Sequence, residues 1–103
     1  MKLKPYETKL DRDFMECLQI IIAKLIASDL QEDDDKMLMC LLAEIKHRIY
    51  LKLDNGQKET TMSFTPAQAF ALRILFTDYV MDNSTSTGNK LHRIANQVHK
   101  FYQ

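Results

Sequence analysis

The residues with the greatest chemical reach in this chain are three histidines, two cysteines and a few acids set among apolar neighbours. His92 and His99 are seven positions apart, so on a helix they share a face but lie two turns, roughly 10.5 Å, from each other. Chelation from one helix wants ligands one turn apart, as in the H-E-x-x-H arrangement. Ala95 and Asn96 occupy that intermediate turn, and only tertiary folding could bring His47 close. The spacing therefore implies no metal site.

Nucleophilic catalysis needs a thiol, hydroxyl or amine beside a base that a third group holds in place. A reactive cysteine further needs a cationic, partly exposed setting. Cys17 and Cys40 both fall in apolar runs, so buried, unreactive thiols in a reducing compartment are expected. Two such distant cysteines make neither a disulfide framework nor a zinc pattern. Asp78 is the one acid deep inside a strongly apolar segment, and Arg73, five residues earlier, lies off its helix face. A structural polar contact is its expected role. The chain has two glycines and no G-x-S-x-G, G-x-G-x-x-G or phosphate-cradling loop. No catalytic residue, metal or cofactor is implied, and the reading is that of a protein other than an enzyme.

Charge narrows the partners. Fourteen basic residues balance fourteen acidic ones. Proteins that bind phosphate backbones usually carry a basic excess. The most apolar stretch, Ile20 to Ala27, is interrupted by Lys24 and is far shorter than the ~20 residues a membrane-spanning helix needs. No apolar signal segment follows the basic start, so a cytoplasmic protein is expected. The acidic run Glu32–Asp35 lacks the central glycine of a calcium loop, and suits the positive N-terminal end of a helix.

The elements that carry these residues are mainly helical. Residues 1–10, with Pro5, read as an irregular lead-in. Leu10, Phe14, Cys17, Leu18, Ile21 and Leu25 then form a stripe of helical period, widened by Met15, Ile22 and Ile26, and predict a helix over about 11–28. A second helix, about 34–52, carries Leu38, Leu41, Leu42, Ile45 and Ile49, with Met37, Met39, Cys40 and Ala43 making its first half apolar all round. Asp54-Asn55-Gly56-Gln57 offers an alternative ending, because Asn-Gly suits a two-residue hairpin turn that would pair Leu53 with Lys58 and Leu51 with Thr60. Thr60 to Phe64 is extended in either case.

The third helix has the clearest start. Thr65-Pro66-Ala67-Gln68 is a capping box with proline at the first helical position, preceded by Phe64 as a hydrophobic staple. It is expected to run over about 66–82. A polar loop precedes a fourth helix, about 89–102, striped by Leu91, Ile94, Ala95, Val98, Phe101 and Tyr102.

The expected fold is thus an all-α, four-helix bundle-like single domain over 1–103, with a short extended segment or small β-hairpin between helices 2 and 3. Its apolar demand is its most informative property. Helices 2 and 3 are apolar in nearly every direction, and four helices of this length can surround only one of them. This points to a protein-interaction module, self-associating as a homodimer or binding another protein. Phe70, Ile74, Phe76, Tyr79 and Val80 are the expected interface anchors, aromatics being prominent in such contacts. The alternative is a small nucleic-acid-associated regulator that uses Lys90, Arg93 and Lys100 on helix 4.

Overall fold

The computed structural model describes residues 3–28, 33–80 and 84–103, with side chains throughout these except at 33–35. Among the described residues it is mostly helical, with four helices and one small antiparallel pair of strands. Strand β1 is Tyr6–Asp11, helix α1 is Arg12–Ile26 and helix α2 is Asp33–Asp54. Strand β2 is Glu59–Phe64 and helix α3 is Pro66–Ile74, which continues as a π-helical segment over Leu75–Val80. Helix α4 is Ser86–Phe101.

The strands correct the all-α reading. The expected irregular lead-in is β1, and its partner is β2, with α1 and α2 intervening in sequence. Tyr6 and Leu10 are buried and Thr8 half-buried, while Glu7 and Lys9 face outward, which is the period-2 pattern of a strand with one covered face. Three inward positions running straight into a helical stripe are too few for periodicity to separate. Pairing between segments this distant in sequence leaves no local signal.

The hairpin reading of residues 49–62 is overturned as well. α2 runs on to Asp54, and Asn55-Gly56 ends it instead of turning a hairpin. Gly56 has φ +74°. Its N–H bonds to the Leu53 carbonyl at 2.9 Å, and the Gln57 N–H bonds to the Lys52 carbonyl at 3.5 Å. That pair of bonds is a Schellman cap, in which a left-handed residue just past the helix lets two orphan carbonyls be satisfied. Glycine reaches that conformation without the steric cost other residues meet.

Residue contacts group the chain into two compact units. One comprises Leu10–Thr60 and is built on α1 packed against α2. Asp11 caps α1 by accepting from the Phe14 N–H at 2.8 Å. Phe14, Met15, Leu18 and Ile22 of α1 are buried, as are Leu38, Leu42, Ile45 and Ile49 of α2. The α1 stripe is thereby rotated from the expected one. Met15 and Ile22 enter the core, and Cys17 turns outward. The Gln19 amide donates to the Lys46 carbonyl at 3.3 Å, and Arg12 donates to the Leu53 carbonyl at 3.4 Å. The expected connection around Ser28–Asp35 and the roles of its acids fall largely outside the described residues.

The other unit comprises Met1–Lys9 and Thr61–Gln103. Here α3 and its π continuation pack on α4. Both members of the expected capping box are present, with Thr65 Oγ1 accepting from the Gln68 N–H and Gln68 Oε1 accepting from the Thr65 N–H, each at 3.2 Å. Gln68 is buried, and its Oε1 is engaged in this reciprocal pair. Phe64, Leu72, Leu75, Leu91, Ile94 and Val98 form the core. α4 begins three residues earlier than expected, because Thr85 serves as its cap and accepts from the Gly88 N–H at 3.0 Å.

Candidate interaction surface

The predicted anchors all lie on α3 and its π continuation, and they divide by environment. Phe70 is half-buried against Tyr102, with ring centroids 5.0 Å apart. Phe76 is half-buried and stacks on His92 of α4, at 4.8 Å and an interplanar angle of 19°. Val80 is half-buried. Ile74 and Tyr79 stand out, at 40% and 37% exposure. Phe70 and Phe76 therefore serve the packing of their own unit, and Ile74 and Tyr79 form a ridge on its surface.

The π segment is what gathers that ridge. Bonding from i to i+5 adds a residue to each turn, which swings Tyr79 toward the side of Ile74 instead of away from it. Asp78 is exposed, not tucked into an apolar helix. Its Oδ1 accepts from the Thr77 hydroxyl at 3.2 Å. No sequence signal marks the π segment, whose residues are those of an ordinary apolar helix.

A second surface belongs to the α1–α2 unit, and sequence reasoning missed it. A cleft of about 540 Å³ is lined by Ala23, Ile26 and Ala27 of α1 and its edge and by Ala43, Lys46, His47 and Tyr50 of α2. All of these residues are exposed except Lys46, which is half-buried, and among the described residues the lining includes two bases and no carboxylate. No pattern in the sequence marks it. α2 also exposes Met37 and Leu51, and α1 exposes Ile20. Both cysteines are exposed and free, contrary to the expected burial, because the cores of α1 and α2 are filled by their neighbours.

The remaining candidates are dispersed. His92 Nε2 lies 3.3 Å from the Asn96 amide, one turn along α4, and His99 is exposed. His47 belongs to the cleft of the other unit. No cluster of three metal-ligating side chains occurs among the described residues. Lys90, Arg93 and Lys100 lie on α4, a helix without any acid, with Arg93 and Lys100 exposed and Lys90 half-buried. Arg93 Nε donates to Asn89 Oδ1 at 3.4 Å. No helix among the described residues is long and apolar enough to cross a membrane. Comparison of the chain with models of known families, with curated proteins and with solved structures finds no match.

Proposed function

We propose that this chain is a non-enzymatic protein-interaction module that self-associates. The observation that carries the reading is the set of large apolar side chains left exposed on α2 and on α3 with its π continuation. α2 exposes Met37 at 62% and Tyr50 at 55%, and α3 with its π continuation exposes Ile74 and Tyr79. Ile26 and Tyr50, both exposed, line the α1–α2 cleft together, and exposed apolar groups gathered at a cleft are what a contact site offers. A net charge of zero puts no long-range repulsion between copies. Light scattering over a wide dilution series tests this reading. A dimer that dissociates only at low concentration supports it, and the mass of a single chain at every concentration ends it.

A second reading rests on the acid-free α4. Lys90, Arg93 and Lys100 are spaced by three and seven positions and so share one helix face, which could follow a phosphate backbone. Its test is retention of the wild type on duplex DNA at low salt. If retention occurs, reversing the charge of Arg93 and Lys100 should abolish it; absence of retention removes the reading.

A further inference from the structure

We infer that α4, along the face that runs from Arg93 to Phe101, binds a single-stranded nucleic acid. The inference goes beyond the duplex reading of the same helix, since the strand is unpaired and an aromatic side chain takes part. The first observation is charge. The chain as a whole is neutral, but its two units are not. Met1–Lys9 with Thr61–Gln103 holds seven Lys and Arg against three Asp and Glu, a net charge of +4. Leu10–Thr60 holds seven against eleven, a net charge of −4. The basic excess is hidden in sequence order because its unit joins the two ends of the chain. The three acids of that unit are Glu7, Asp78 and Asp82, none of them on α4. A basic excess favours a polyanionic partner.

The second observation is the face itself. Leu91, Ile94, Ala95 and Val98 of α4 turn inward. Arg93, Gln97, Lys100 and Phe101 are exposed. Their spacings of three and four positions put them on one side of the helix, with Arg93 and Phe101 about 12 Å apart along its axis. Phe101 is 47% exposed, yet its ring is held by two neighbours. It meets Tyr6 at 5.7 Å and Tyr102 at 4.8 Å, both near perpendicular. The Tyr102 hydroxyl donates to the Lys4 carbonyl at 2.6 Å, which brings that exposed lysine to the same end of α4. A fixed, exposed ring at the end of a basic track is a platform for an unpaired base, and stacking beside phosphate neutralisation is how single strands are held without sequence preference. The bases of a duplex are already stacked on one another, and an acidic peptide offers charge alone. The basic track suits all three partners, and the ring selects the single strand.

Fluorescence anisotropy with a labelled single-stranded thymidine oligomer at low salt tests the inference, with a duplex of equal length for comparison. The wild type should bind the single strand more tightly than the duplex. Lys100→Gln should reduce the slope of log affinity against log salt by about 0.7, the share of one phosphate contact on a single strand. Phe101→Ala should weaken single-strand binding about tenfold, through the loss of one stacked base, and leave duplex binding unchanged. Phe101 also packs on Tyr6, so circular dichroism checks the fold of that variant and Phe101→Trp supplies a second readout. The chain contains no tryptophan, so indole emission in that variant reports position 101 alone and should change as the oligomer binds. Emission that stays constant at saturation overturns the inference. So does a single strand bound no tighter than the duplex, in which case the duplex reading stands by itself. Equal displacement of the oligomer by polyglutamate also overturns it and assigns the surface to acidic protein. Binding of the single strand without the duplex supports this inference and removes the duplex reading; binding of neither removes both.

Discussion

The Tyr6 hydroxyl donates to Gln97 Oε1 at 2.5 Å, joining β1 to α4 across 91 positions of sequence. The Tyr6 ring also meets Phe101 edge-on, with centroids 5.7 Å apart. A second phenol repeats the theme, Tyr102 donating to the Lys4 carbonyl at 2.6 Å. Two hydroxyls thus fasten the first strand region to the last helix. Tyr6→Phe keeps the ring and removes the donor, leaving Gln97 to water at the exposed surface. The loss should be about 1 kcal/mol by denaturant unfolding.

The same residue sets a pH dependence. Burial raises the Tyr6 pKa above its usual value, and a side-chain hydrogen bond with Thr8 offsets part of the rise. The folded chain then holds the phenolic proton more tightly than the unfolded chain. This contribution is complete below about pH 10 and is lost as pH rises through the folded value. The stability difference between wild type and Tyr6→Phe should therefore shrink above about pH 10. A difference that stays constant across that range would show that the phenol is not the titrating group.

Gly56→Ala tests the helix ending. The space around a Cβ there is empty, so the cost should be conformational alone, about 1 kcal/mol. Gly56→Asn should cost less, because asparagine tolerates the left-handed region better. Were position 56 in a hairpin, strand pairing from 49 to 62 would protect its backbone amides in a β pattern. Hydrogen exchange should instead show helical protection continuing to the end of α2.

Thr65→Ala removes one half of the capping box and strands the other. The loss should be about 1 kcal/mol, and it should fall on the Met1–Lys9 and Thr61–Gln103 unit. By contrast, Leu42→Ala should cost about 2–5 kcal/mol, because Leu42 is fully buried in the α1–α2 unit.

Cys17 and Cys40 should both react with a thiol reagent in the native protein, at rates near those of the unfolded chain. Slow reaction of either, relieved by dilution, would place that residue under a second copy. The two sites therefore also report on the outer faces of α1 and α2.

The sequence by itself determined the four helices and most of their limits. Helical periodicity, the Thr65-Pro66-Ala67-Gln68 box and the greasy character of α2 and α3 are local properties, set by neighbours within a few positions. It also determined that Thr60–Phe64 is extended. Tertiary structure decided the rest. Whether Asn55-Gly56 closes a hairpin or caps a helix depends on what the following strand pairs with, and that partner is β1, two helices away in sequence. Whether Cys17 or Met15 enters the core depends on how α1 is rotated against α2, since both positions are apolar enough for either. Which large apolar side chains of α1, α2 and the α3–π segment stay exposed depends likewise on how the helices pack within each unit. In each of these outcomes the chain's local preferences are nearly balanced, and packing against other segments tips them.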